Sequence, residues 1–277
     1  MTSQVSSKNQ LNGLGGSEWL YFTKTVLTTS YPYEYGHDLR KAHGANKPPQ
    51  LMRLLIEFFT KPDARILDPF AGVGGTLIGA SICNEPRNAV GIEINQKWID
   101  IYYQVLEQSE GSLAPQQMVQ GDCLNTMLTL EDASFDFVAL DPPYNIHLEQ
   151  TMSGGHASEQ HKNRRTDYNM RSNDPADLAN LASYEDYLDA MTRVFAQCHR
   201  VLKPLKYMIV IVRNTYQHGE YTFTHVDLAR RAKLHGFTTK GEIVWHQTGT
   251  RLRPYGYPFA YVPNIAHQYI VVLQAVK

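Results

Sequence analysis

Asp141-Pro142-Pro143-Tyr144 is the stretch of this chain whose residue types are best suited to chemistry. A carboxylate and a proline carbonyl can together accept the hydrogens of one NH2 group. Two consecutive prolines stiffen the turn and remove backbone donors, leaving carbonyl acceptors. The adjacent tyrosine ring offers a face on which a planar base can stack. The tetrapeptide follows 135–140, Phe-Asp-Phe-Val-Ala-Leu, which reads as a fully buried strand. A proline pair after a strand is common, so the motif takes its weight from what accompanies it.

A second cluster is Asp68-Pro69-Phe70-Ala71-Gly72-Val73-Gly74-Gly75-Thr76. Glycines after a strand let the backbone turn tightly and approach a ligand closely. Glu93 lies about twenty residues downstream, where a carboxylate can bind ribose hydroxyls. Leu77 stands where the third glycine of G-x-G-x-x-G would fall. Alone, the cluster suits an oxidoreductase with a nucleotide cofactor as well as a transferase. It also suits a plain glycine turn.

These residues need a scaffold, and the surrounding pattern predicts one. Strands are expected at 64–68, 88–93, 117–120 and 135–140, with a small-residue helix after the glycines and another at 96–108. Strand–helix alternation argues for a mostly parallel sheet with helices on both faces. Ligands bind such sheets beyond the carboxyl ends of the strands. Gly72 to Gly75, Glu93, Asp122 and Asp141 all fall at or just past predicted strand ends. Residues 145–182 break the rhythm with a long polar stretch, as functional or disordered insertions do. Regular structure resumes with a helix at 183–202, a strand at 207–212 and a helix at 226–235 closed by Gly236. Strands at 237–245 and 267–273 then form an antiparallel end.

Composition sets outer bounds. A chain of 277 residues, 43% hydrophobic and 19% charged, fits one large α/β domain. We expect a tail over 1–30, disordered at its start, and a single domain over 31–277. No apolar run approaches the roughly 18–20 residues of a membrane span. Met1 to Lys8 is polar and lacks a signal-peptide core, so a cytoplasmic protein is expected. The three cysteines, Cys83, Cys123 and Cys198, are too scattered for a disulfide framework or a zinc site. None follows a proline, which disfavours a covalent cysteine mechanism. His156 and His161 lack a ligand partner at a recognisable spacing, and no metal is expected.

With a net charge of −1, any polyanion must be met by local patches. Candidates are Arg40, Lys41 and Lys47; Lys162, Arg164, Arg165 and Arg171; Arg230, Arg231 and Lys233; and Arg251 with Arg253. Each is equally a solvated surface cluster.

Taken together, the motifs resemble those of the DNA amino-methyltransferases, which modify adenine N6 or cytosine N4. Asp68, Phe70, Gly72, Gly74 and Thr76 match that family's cofactor motif, with F-x-G-x-G at its centre. Asp141 to Tyr144 match its catalytic D/N/S-P-P-Y/F/W. Gly44 to Leu51, including Asn46 and Lys47, resemble the segment that closes over the methionine end of the cofactor. Glu93 with Ile94 matches the ribose-binding position, and Asp122 with Cys123 the adenine-binding one. The resemblance covers roughly 36–274 and is poorest in the long insert. It implies a Rossmann-like class I methyltransferase fold, S-adenosylmethionine as cofactor and double-stranded DNA as partner. Asp at the first catalytic position leans toward adenine.

Only about fifty residues separate Glu93 from Asp141, so no large recognition domain lies between the motifs. Target recognition is expected from 145–182, from 246–266, or from both. Lys162, Arg164, Arg165, Arg171, Arg251 and Arg253 are the expected DNA contacts. A homodimer and a cognate restriction enzyme are compatible partners. Other readings are cytosine-N4 methylation, tRNA guanine-N2 methylation, a nucleotide-cofactor oxidoreductase, and a catalytically silent DNA-binding module.

Overall fold

A computed structural model describes residues 4–85, 87–143, 172–217, 219–250 and 252–277. Its centre is an eight-stranded sheet in the order β1 (Val26–Thr29), β9 (Phe237–Gln247), β10 (His267–Ala275), β6 (Leu202–Val212), β5 (Phe135–Leu140), β2 (Arg65–Asp68), β3 (Asn88–Glu93) and β4 (Gln117–Gln120), while β7 (Thr215–Gln217) and β8 (Glu220–Thr222) pair with each other. The parallel half comprises β2, β3, β4, β5 and β6. β10 runs antiparallel between β6 and β9. β1 pairs parallel to β9 at the edge. The α/β architecture with an antiparallel end is therefore as expected.

Alternation along the strands builds two cores. In β5, Phe137 and Ala139 face one layer while Val138 and Leu140 face the other. After the short α2 (His37–Arg40), the first layer packs α3 (Pro49–Phe59), α4 (Gly75–Ser81) and α5 (Gln96–Gln108). The second packs α6 (Cys123–Leu128), α7 (Tyr184–Val201) and α8 (Thr224–Lys233). α3 begins with a proline in its first turn and buries Leu51, Met52, Leu55, Ile56, Phe58 and Phe59 at helical spacing. Each such side chain contributes about 1.5–3 kcal/mol by leaving water. α3 lies close on α4 because Gly79 has no side chain: a Cβ there would stand 2.6 Å from the Met52 Cβ.

The expected tail over 1–30 needs correction. Gly16–Phe22 is a helix, α1, and Phe22 stacks on Phe58 at 3.6 Å between ring centres. Asn12 is buried and its amide donates to the Phe58 carbonyl at 2.5 Å. β1 then joins the sheet, with Trp245 Nε1 donating to Thr29 Oγ1 at 2.9 Å. Apolar burial and sheet pairing fasten this stretch to the domain. β6 also starts earlier than its predicted 207, at Leu202, because Lys203-Pro204 reads as a turn by composition. The end of the presumed insert is likewise ordered. Asp177 caps a short 3-10 helix, Leu178–Asn180, and Leu178 enters the second core.

Among the described residues, no helix is long and apolar enough to cross a membrane. In the same residues no cluster of three His, Cys, Asp or Glu side chains could hold a metal ion.

Candidate active site

The strand connections run in opposite directions from β2 and β5, which are neighbours, and a crevice opens beyond their carboxyl ends. Asp68 ends β2, Glu93 ends β3 and Asp141 follows β5.

Asp68 is only 3% exposed. Its Oδ1 accepts the Phe70 amide at 2.9 Å, and its Oδ2 accepts the Thr76 hydroxyl. These bonds tie the start of the glycine turn to the first turn of α4. Burial lifts the Asp68 carboxyl to about 7, although both hydrogen bonds hold it down. Gly72 and Gly74 have φ of +51° and +76°, values that glycine adopts freely. A Cβ on Gly74 would lie 2.3 Å from the Tyr102 ring, so close packing also requires glycine there. Phe70 is half-buried against the second core.

Glu93 accepts the Gly72 amide and the Asn95 amide, each at 2.8 Å. Burial raises it to about 7. Ile94 beside it is half-buried. Asp122 caps α6, accepting from the Leu124 and Asn125 amides at 3.3 and 3.0 Å. The Cys123 side chain points into the second core, and burial pushes its thiol up to about 12, so it is an inert thiol.

The segment before α3 approaches this crevice from the other side. Lys47 Nζ lies 2.5 Å from Asp141 Oδ2, and the lysine side chain is 6% exposed. Asp141 Oδ1 is buried and has no hydrogen-bond partner among the described residues. Burial raises the Asp141 carboxyl, and Lys47 opposes that rise. Arg40 is fully buried; its Nη2 donates to the Lys47 carbonyl at 2.5 Å and its Nε to the Val73 carbonyl at 3.4 Å. Arg40 and Lys47 are thus no solvated phosphate patch, which corrects that expectation. Asn46 is half-buried next to Lys47. His43 packs edge-on to Trp98 and sits under Gly72, with its Nδ1 buried and without a partner among the described residues. Burial, then Lys47, Arg40 and Lys97, push its imidazole down to about 3, so it is neutral. Sequence reasoning placed Tyr187 among core-packing residues, which it is. Its hydroxyl is also buried without a partner among the described residues, within reach of the Asp141 charge. Nothing in the helical spacing of 183–202 marks that hydroxyl.

Pro142 is buried and Pro143 half-buried. Tyr144, Lys162, Arg164, Arg165, Arg171 and Arg251 lie outside the described residues. Arg253 is half-exposed, in the loop between β9 and β10. In α8, Arg231 is engaged by Glu185 and by Asp189, the latter at 2.8 Å, so it is a structural cation.

Comparison with known proteins places this arrangement. The profile of the DNA methylase family, the N6/N4 methyltransferases, matches residues 4–104 and 135–277. The chain belongs to this family. Over 53 residues it is 49% identical to the type II methyltransferase M.HindIII of Haemophilus influenzae, covering 19% of this chain and 16% of that protein. Over 62 residues it is 44% identical to M.HinfI of Haemophilus influenzae, covering 22% and 17%. The matched segments are thus under a fifth of either relative's length. Among solved structures, TrmN from Thermus thermophilus superposes with a TM-score of 0.50 at 15% identity, over 82% of this chain and 48% of that one. That likeness concerns the fold.

The family's cofactor is S-adenosylmethionine, and the crevice is chemically suited to it. The glycine turn is open to a close approach, Glu93 is an acceptor at a strand end, and His43 Nδ1 is buried without a partner among the described residues.

Proposed function

We propose that this chain methylates the exocyclic amino group of a base in double-stranded DNA, with adenine N6 as the target. The observation that carries the reading is the buried Oδ1 of Asp141, without a partner among the described residues, at the rim of the same crevice as the glycine turn. A buried acceptor left empty is costly, by about 1–3 kcal/mol, and an NH2 donor relieves that cost.

S-adenosylmethionine supplies an electrophilic methyl group when bound. The residues proposed to hold it are Asp68, Phe70, Gly72, Gly74, Thr76, Glu93 and Ile94, with Asn46, Asp122 and the Cys123 backbone at the margins. The base leaves its stack to reach the crevice, as chemistry on a base requires. Tyr144 stacks on it. Asp141 and the Pro142 carbonyl accept its amino hydrogens and orient the nitrogen lone pair toward the methyl group. Positioning and electrostatics then do most of the catalysis.

The DNA contact surface assigned by this reading includes the loop between β9 and β10. It exposes Tyr257, Phe259 and Tyr261, and contains Arg251 and Arg253. The chain has no Asp or Glu from Ile243 to its end, which suits a polyanion. Lys162, Arg164, Arg165 and Arg171 are assigned to the same role. The cell compartment that fits is the cytoplasm, where DNA and cofactor meet.

The test is transfer of labelled methyl from S-adenosylmethionine to mixed-sequence duplex DNA, followed by nucleoside mass spectrometry. N6-methyladenine is expected. N4-methylcytosine would keep the chemistry and change the base. Labelled tRNA with unlabelled DNA would overturn the assignment.

A further inference from the structure

Lys47 stands in the stretch between the 3-10 turn Lys41–His43 and α3, and its backbone is held from two directions. The buried Arg40 grips its carbonyl at 2.5 Å. A Cβ on Gly75 would sit 2.9 Å from that same carbonyl, so the segment presses directly on the start of α4. The side chain then reaches across the crevice to Asp141, 94 residues away in sequence. One oxygen of Asp141 is thereby occupied and the other is left buried, without a partner among the described residues.

We propose that Lys47 is a positioning residue for Asp141: its ammonium holds one carboxylate oxygen so that the other is presented to the target amino group. The inference rests on the amino-methyltransferase reading and adds to it. It also differs from the role that the sequence resemblance implies, in which Lys47 serves the cofactor.

The physical case has two parts. A carboxylate held at one oxygen has a fixed plane, so its free oxygen has a fixed direction. The cation also favours the ionised form, against the burial that raises the carboxyl. Burial favours the protonated carboxyl, and only an ionised one is a pure acceptor. A protonated Asp141 would place an O–H donor against an NH2 group that is itself a donor. The other titratable groups around Asp141 are Asp68 from the end of β2 and Tyr187 from α7. Neither supplies positive charge, so among the described residues Lys47 is the counter-ion.

The test uses Lys47→Gln, which keeps length and a donor but loses charge, and Lys47→Arg, which keeps the charge. Carboxyl carbons of labelled aspartate are titrated by NMR in the cofactor-free protein, with Asp141 assigned from Asp141→Asn. In Lys47→Gln the Asp141 midpoint should rise by about one pH unit or more, which is a tenfold change in the ionised fraction. The acid limb of the kcat profile should move in the same direction, while S-adenosylmethionine affinity stays within about twofold. Lys47→Arg should hold both near the wild-type position. An unmoved midpoint in Lys47→Gln overturns the proposal. So does a loss confined to cofactor affinity, which would return Lys47 to the cofactor. A displaced midpoint in Lys47→Arg does the same, and that variant decides the matter should Lys47→Gln not fold. If the wild-type chain methylates no amino group, the broader reading fails, yet the NMR arm still decides the pairing.

Discussion

Glu93 accepts the Gly72 amide at 2.8 Å, so the carboxylate that ends β3 also fixes the turn that follows β2. Its second oxygen is occupied by the Asn95 amide at the N-terminus of α5. One side chain therefore registers two strand ends and one helix start around the crevice. The carboxylate has further acceptor capacity beyond these amides, which is what a ribose diol would need.

That arrangement has a consequence for pH. Burial raises Asp68 from 3.8 and Glu93 from 4.5, each to about 7. A carboxyl raised on folding binds its proton more tightly in the native state than in the unfolded chain. Stability therefore falls as pH rises from about 4 through about 7, and the loss is complete above that window. Asp136, held down by Lys203 and Lys206 despite its burial, works in the opposite sense. Comparison with variants isolates the effect. Urea unfolding of Asp68→Asn and Glu93→Gln should depend less on pH between about 5 and 8 than wild type. Parallel curves for all three would show that neither group titrates in this window.

Arg40 makes a separate prediction. Its guanidinium satisfies two carbonyls on opposite sides of the crevice, those of Lys47 and Val73. Burial alone brings its pKa down to about 10, still well above neutrality, so the cation persists. Arg40→Met fills the space but leaves both carbonyls buried without donors. The expected loss is about 2–4 kcal/mol in denaturant unfolding. Cofactor affinity should also fall, because the glycine turn loses its brace. A midpoint indistinguishable from wild type would mean that water replaces the guanidinium at no cost.

Sequence legibility followed the range of the interactions. β3 and α5 were readable to their first and last residues because each carries its own pattern: an apolar run before Glu93, then Trp98, Ile99, Tyr102 and Val105 on one face. The glycine turn was readable because its chemistry is local, with Asp68, Phe70 and Thr76 joined within nine residues. β1 was missed because four residues with an exposed–intermediate pattern give no strand signal. Its partner, Trp245, lies 216 residues away from Thr29. Arg40 and Lys47 were misread as a basic surface patch for the same reason. Only the fold brings Asp141 and two backbone carbonyls to them, and an arginine or lysine is otherwise rarely buried. Asp122 caps α6, a role that depends on a helix the sequence pattern did not reveal.

Asp141 itself allows a direct test of the catalytic assignment. Asp141→Ala removes the acceptor and leaves Lys47 without its counter-ion. Turnover should fall by about a hundredfold or more, the scale of losing one preorganised electrostatic partner. S-adenosylmethionine binding, measured by calorimetry, should persist, since Asp68 and Glu93 are untouched. Near-normal turnover in this variant would remove Asp141 from the mechanism.

The loop between β9 and β10 carries the last prediction. Tyr257, Phe259 and Tyr261 alternate along it, and Phe259 is 92% exposed. The loop has internal structure: Asn264 bonds both the amide and the carbonyl of Arg253, at 2.8 and 2.7 Å. Tyr216, just past β6, donates its hydroxyl to the Tyr261 carbonyl at 3.5 Å, so the loop leans toward the strand beside β5. Large aromatic side chains left in water on a tethered loop are suited to stacking on bases. Phe259→Ala should weaken duplex DNA binding by about tenfold, the lower part of the range for losing one stacked base. Fluorescence anisotropy at fixed salt reads this directly. Because the contact is apolar, the slope of affinity against salt should not change, whereas Arg253→Ala should flatten it. If Phe259→Ala binds DNA like wild type, the aromatic row does not touch the duplex, and recognition must come from elsewhere in the chain.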